Sequence, residues 1–294
     1  MKEELNSCTL CPRECKVNRN NKELGFCRAS NKIKIGGYHL HMWEEPILSS
    51  DKGSGTIFFS YCNLGCIYCQ NYQISHICKG EEISIERFSN ICLELQNMGA
   101  NNINLVTPTH YIPLIKEGLI LAKKQGLTIP IVYNTSGYEK VSSLKLLDGL
   151  VDIYLPDFKY YDKELNKYSN VNNYFEITSE ALKEMYRQTG KSIFNDDGIM
   201  QKGMIIRHLV LPNHILNSRK VLKWINENMH DVYVSVMAQY FPTYKAKELD
   251  ELNRKLTKEE YEDVENYLYK LNLENGYIQE LGEHEEEYVP KWDY

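Results

Sequence analysis

The chain has 294 residues, with 34 Lys and Arg against 40 Asp and Glu and a formal charge of −6. It is long enough for one large α/β domain with a small appendage, and no long basic block suits it to nucleic acid. No apolar run approaches the roughly 18 residues that span a bilayer, and the polar start MKEELNSCTLC has no signal-peptide core. Nine cysteines, an odd number without an export signal, point to metal ligation in a reducing cytosol instead of a disulfide framework. A cytoplasmic protein without a membrane partner is therefore expected.

Residues 1–53 are polar, cysteine-rich and weakly periodic, and they read as a small metal-binding appendage. Cys8, Cys11, Cys15 and Cys27 are spaced C-x2-C-x3-C-x11-C. Four thiolates in so short a segment can close a tetrahedral zinc site or hold the corners of an iron–sulfur cluster, and spacing does not choose between them. A segment without its own core depends on such a metal to fold. Further on, HMWEEP brings His41 and Trp43 near Glu44 and Glu45. This group either lines a substrate entrance or clamps the appendage to the rest of the chain.

From residue 54 to 294, strand-like and helix-like runs alternate. Strands are expected at 55–60, 102–106, 129–134, 151–155, 204–211 and 232–237. In the first connection, Ile85, Phe88, Ile91, Cys92, Leu95 and Met98 share one helical face. Further helices are expected at 112–125, 139–147, 179–189, 217–228 and 257–271. Six βα units make a partial (β/α)6 barrel, followed by a charged, solvated C-terminal tail.

GTIFFS, the first strand of that series, runs into FFSYCNLGCIYCQN, with Cys62, Cys66 and Cys69 in C-x3-C-x2-C spacing. Three clustered thiolates can hold three corners of an iron–sulfur cube and leave one iron open to chemistry. A zinc knuckle with a fourth ligand from elsewhere is the alternative. A loop at the C-terminal end of a barrel strand lies on the face where active sites form.

This loop resembles that of the radical S-adenosylmethionine (SAM) superfamily, and CIYCQN is similar to the CxYCxN loop of pyruvate formate-lyase activating enzymes. With HMWEEP and the N-terminal cysteines, the whole chain resembles an uncharacterised group related to those activases. The resemblance implies a 4Fe-4S cluster on Cys62, Cys66 and Cys69, SAM chelated to its open iron, and Tyr68 and Asn71 on the cofactor side. Residues after the second strand, VTPTHY, replace the family's GGE-type loop and put Thr107 and Thr109 beside the SAM amino group. YNTSGY and YLPDFKYYD resemble the DTNG and DLK elements, which assigns Asn134, Thr135, Asp157 and Lys159 to SAM binding. Asn134 stands where the family has an aspartate, which leaves a monovalent cation there in doubt. Arg207, in the R-x-x-x-x-P segment, is implied to approach the SAM carboxylate or ribose, and Gln239 ends the sixth strand near adenine or substrate.

The implied activity is reductive cleavage of SAM to a 5′-deoxyadenosyl radical that abstracts hydrogen from a glycine of a glycyl radical enzyme. It requires a one-electron donor such as flavodoxin or ferredoxin. Radical modification of another peptide or a small molecule is one alternative. A non-catalytic iron–sulfur or zinc protein that docks a partner is another.

Overall fold

Ten strands form one sheet in a computed structural model that describes residues 2–273 and 275–282. They are β1 (Ile33–His41), β2 (Ser54–Phe59), β3 (Glu81–Ile83), β4 (Ile103–Val106) and β5 (Ile131–Thr135). Then follow β6 (Ile153–Pro156), β7 (Ile193–Phe194), β8 (Met200–Leu209), β9 (Tyr233–Met237) and β10 (Gly276–Ile278). The six expected strands are β2, β4, β5, β6, β8 and β9. They pair in that order, and every pairing is parallel.

The path does not close. β10 adds a parallel strand beyond β9, while β1 and β3 extend the other edge in antiparallel fashion, and β7 pairs with β8. β1 lies within the segment read as weakly periodic. Its glycines Gly36 and Gly37 and a register irregularity between Ile35 and Gly37 interrupt the alternation by which a strand is recognised.

Helices α1 (Pro46–Ser49), α2 (Tyr72–Ser75), α3 (Ile85–Asn97) and α4 (Ile112–Lys124) occupy the first half. They are followed by α5 (Val141–Leu144), α6 (Tyr174–Thr189), α7 (Ile215–Asn228) and α8 (Lys258–Lys270). Ser84 caps α3 by accepting the Arg87 N–H, and Phe88, Ile91, Cys92 and Leu95 are buried as the helical spacing predicts. Met98 falls beyond the last turn and is exposed. α6 starts at Tyr174, earlier than expected, because Tyr174 and Thr178 are also buried against the sheet. α5 starts later than expected, at Val141, because Glu139 is spent on a buried contact described below.

The strap between β1 and β2 seals the lower end of the sheet. Asn101 and Asn102, just before β4, donate their side-chain amides to Ser49 O at 2.8 Å and Leu48 O at 2.9 Å. Leu48 packs on Val132, Ile153, Leu155, Met200 and Ile205, which face the barrel interior. The charged run in the tail lies at residues 283–294, outside the described residues. No helix among the described residues is long and apolar enough to cross a membrane.

Candidate active site

Strand alternation decides what enters the barrel. Two residues beyond Val132, Leu155 and Ile205 on their strands come Asn134, Asp157 and Arg207, so charged groups replace hydrocarbon toward the C-terminal ends. There they line a cavity of about 240 Å³ together with Cys62, Cys66, Tyr68, Cys69, Asn71, Thr107, Thr135, Lys159 and Gln239. Tyr61 and Thr107, which follow β2 and β4, both line this cavity and both hold left-handed backbone, with φ of 73° and 60°. Such conformations are strained for bulky or β-branched residues and concentrate at functional sites.

The cysteine loop is pinned to a second segment. Gly65 N and Ile67 N donate to Ser169 O and Tyr168 O, both at 2.9 Å. Cys66 Sγ lies 3.0 Å from Ser169 Oγ, which in turn lies 2.8 Å from Tyr160 Oη, and Tyr160 Oη hydrogen-bonds Tyr68 Oη. Cys69 Sγ lies 3.2 Å from Ser75 Oγ, and Leu64 N donates to Cys62 Sγ at 3.3 Å. Tyr68 is thus buried as a support under the thiols.

Burial pushes all three thiols up, Cys69 to about 11, so ligation must displace their protons. Among the described residues no three His, Cys, Asp or Glu side chains converge on one ion. Three thiols lining one cavity suit three corners of a 4Fe-4S cube, with the fourth iron left to a ligand in the cavity. Asn71 Oδ1 and Ser136 Oγ are buried in this cavity wall without a hydrogen-bond partner, as acceptors or donors for a bound molecule. The residues present fit a cluster and a polar cofactor.

The charged groups form one network. Lys159 Nζ lies 2.6 Å from Asp157 Oδ2, and Arg207 Nε donates to Asp157 Oδ1 at 3.1 Å. Burial opposes ionisation of Asp157, but Lys159 and Arg207 overcome it and hold its carboxyl below the usual carboxylate range. Burial also disfavours the charged forms of Lys159 and Arg207, but Asp157 together with Cys66 and Tyr174 for Lys159, and with Glu45 and Glu44 for Arg207, outweighs it and raises both. Arg207 Nη2 donates to Asn134 Oδ1 at 2.6 Å, and its Nη1 lies 3.4 Å from Glu44 Oε2.

Glu44 was grouped with His41 and Trp43 in sequence without a reason to prefer it. The strap carries its carboxylate to the cavity wall, where Asn104 Nδ2 at 2.9 Å and Asn134 Nδ2 at 3.4 Å donate to it. An aspartate at position 134 could accept from Arg207 but could not donate to Glu44. The asparagine at that strand end therefore bridges a cation and a carboxylate. His41 lines the same cavity, while Trp43 is 62% exposed.

Two threonines differ in placement. Thr135 lines the cavity but Thr109 does not, and both hydroxyls donate to Glu139 Oε1, Thr109 at 2.5 Å. Burial raises the Glu139 carboxyl to about 7 against those hydrogen bonds. Sequence reasoning also missed Tyr174, whose Oη lies 2.6 Å from Ser136 O and 2.9 Å from Asp157 O and accepts the Lys159 N–H at 3.1 Å. It clamps the loops after β5 and β6 together. Nothing local to Tyr174 in sequence signals this, whereas Ser136 adjoins the assigned Asn134 and Thr135.

Cys8, Cys11, Cys15 and Cys27 do not join this cavity. They line a second, narrower one with Arg19 and His110.

The radical SAM superfamily model matches residues 56–195. The uncharacterized protein MJ0674 of Methanocaldococcus jannaschii is 35% identical over 280 residues, covering 91% of this chain and 76% of that protein. Among solved structures, methylornithine synthase (PylB) superposes with a TM-score of 0.51 at 16% identity, covering 74% of this chain and 68% of that one. SuiB of Streptococcus suis, bound to its precursor peptide SuiA, superposes with a TM-score of 0.51 at 15% identity, covering 75% of this chain and 47% of that one.

Proposed function

The chain belongs to the radical SAM superfamily, and from that premise we propose that it takes a hydrogen atom from a glycine Cα of a partner enzyme, activating it as a glycyl radical enzyme. When bound at Cys62, Cys66 and Cys69, the 4Fe-4S cluster supplies the electron that cleaves SAM into methionine and a 5′-deoxyadenosyl radical. The observation that carries this reading is the single cavity shared by the three thiols, the Asp157–Lys159 pair and Arg207.

Lys159 and Arg207 are the cations suited to the methionyl carboxylate of SAM, and Arg207 offers it a planar fork of donors. Asp157 holds both cations in place and fixes their charge. Glu44 and the unpartnered Asn71 oxygen supply acceptors for an ammonium or for ribose hydroxyls, which the loop at 106–111 lacks as charge. Phe58, Leu64, Ile74, Val106 and Leu209 line the remaining wall and limit water around a reactive radical. A flavodoxin- or ferredoxin-type protein serves as the electron donor.

The test uses anaerobically reconstituted protein, reductant and SAM. Formation of 5′-deoxyadenosine separates this reading from a non-catalytic docking protein. A partner enzyme carrying Cα-deuterated glycine should pass deuterium into 5′-deoxyadenosine, and the unlabelled partner should acquire a glycine-radical EPR doublet. Cleavage of SAM without either signal would reject the glycine assignment and leave a different peptide or a small molecule as substrate.

A further inference from the structure

Four free cysteines of the N-terminal segment, Cys8, Cys11, Cys15 and Cys27, line one narrow cavity with Arg19 and His110. The chain is wound tightly to bring them there. Cys8 N donates to Val17 O and Lys16 N to Cys8 O, both at 2.9 Å, while Phe26 N donates to Cys15 Sγ at 3.3 Å. Glu14, Lys16 and Arg28 hold left-handed backbone, with φ of 43°, 58° and 62°, which non-glycine residues adopt at a cost. So short a segment needs something beyond its own packing to keep that shape.

Arg19 points to what that is. It is 1% exposed, yet among the described residues it has no carboxylate partner. Its guanidinium donates to Ser30 O at 3.0 Å and His110 O at 2.6 Å, and its Nη1 lies 3.9 Å from Cys8 Sγ. A buried cation bound to carbonyls alone is uncompensated. Four thiolates bound to a metal beside it would supply the missing negative charge. A zinc site would supply the same charge but carries no electron, whereas His110 sets these thiols beside the radical loop, a position suited to a redox-active cluster.

His110 gives the second observation. Its Nε2 lies 2.8 Å from Ser60 O, so Nε2 carries the proton and Nδ1 is an unprotonated lone pair. That Nδ1 is buried without a partner, on a side chain lining the cysteine cavity. Ser60 stands two residues before Cys62, and the His110 and Tyr61 rings are 6.4 Å apart. His110 therefore spans the two cysteine sets.

We propose that Cys8, Cys11, Cys15 and Cys27 hold a second 4Fe-4S cluster, with Arg19 as its buried counter-cation, which relays one electron past His110 to the cluster at Cys62, Cys66 and Cys69. A low-potential one-electron carrier protein is oxidised as this cluster is reduced. The electron then passes to the radical-loop cluster, and the relay returns to its oxidised level with no bond made or broken. The relay rests on the reading of the radical loop given above, but the second cluster does not, and the experiment separates the two.

The Cys62→Ala/Cys66→Ala/Cys69→Ala protein, reconstituted anaerobically, should hold about four irons per chain and give a reduced-cluster EPR signal that SAM does not alter. Adding Cys8→Ala/Cys11→Ala should remove that iron, with the far-ultraviolet circular dichroism of the barrel retained. Should that variant fail to fold, the wild-type protein decides: about eight irons, with only part of the EPR signal responding to SAM. About one zinc per chain, or iron that survives the loss of Cys8 and Cys11, would overturn the cluster. In the wild-type background, His110→Phe should keep both iron sets but slow reduction of the SAM-responsive cluster by a flavodoxin-type carrier several-fold. An unchanged rate would overturn the relay.

Discussion

Glu44 Oε2 and Arg207 Nη1 stand 3.4 Å apart inside the barrel, one carried by the strap between β1 and β2 and the other by β8. The contact ties the N-terminal strap to the charged network of the cavity. Glu44→Gln removes the charge and keeps an oxygen for Asn104, so the barrel should survive at a cost of about 1–3 kcal/mol. An anaerobic urea titration measures that cost, and a double-mutant cycle with Arg207→Met isolates the pair. Effects that add within about 0.5 kcal/mol would show that the two residues act independently.

Asp157 and Lys159 should act chiefly on SAM, because their side-chain ion pairs are with each other and with Arg207, and Lys159 influences the thiols only through its charge. Asp157→Asn and Lys159→Met should keep the cluster absorption and lose SAM-dependent turnover by about 100-fold, the scale of a misplaced reacting bond. Cys66→Ala should abolish 5′-deoxyadenosine formation outright. Wild-type SAM affinity and turnover in both the Asp157 and Lys159 variants would remove this pair from the cofactor site.

The six parallel strands were legible because each is a short β-rich run between turn residues, a pattern that survives without tertiary information. Cys62, Cys66 and Cys69 were legible as a group because their spacing is local, and all three line one cavity. Glu44 was not, because its partners Asn104, Asn134 and Arg207 lie 60, 90 and 163 residues away. Thr109 illustrates the reverse case. Its strand-end position suggested the cavity, but the buried Glu139 carboxyl group takes its hydroxyl. β1 escaped because paired glycines and a register irregularity erase a strand's period of two.

Glu139 gives a pH dependence with a defined sign. Burial raises its folded-state pKa from the ordinary 4.5 to about 7, so the folded protein retains a proton that the unfolded chain has released. That contribution is complete below about pH 4.5 and is lost as pH rises through 7. Glu139→Gln still accepts from Thr109 and Thr135 but cannot ionise. Relative to wild type it should gain about 3 kcal/mol between pH 4.5 and pH 8, read by urea unfolding at both values. A stability difference that stays constant with pH would mean that Glu139 is ionised in the fold.

Gly137 tests whether backbone placement, and not contact alone, sets the cofactor site. Its φ is +79°, and a Cβ there would lie 2.3 Å from Asp157 O and 2.8 Å from the Thr178 methyl. The backbone oxygen cannot move aside as a flexible side chain does, so Gly137→Ala must push apart the loops after β5 and β6. Tyr174, which spans Ser136 O and Asp157 O, would lose at least one of those bonds. The variant should lose at least about 1 kcal/mol of stability. It should also lose SAM-dependent turnover in excess of that, because Asp157 carries both Lys159 and Arg207. Thr178→Ala is the control, since it removes the neighbouring methyl without moving the loop, and it should leave turnover near wild type. Equal turnover in Gly137→Ala and wild-type protein, with the cluster intact in both, would mean that Asp157 tolerates displacement.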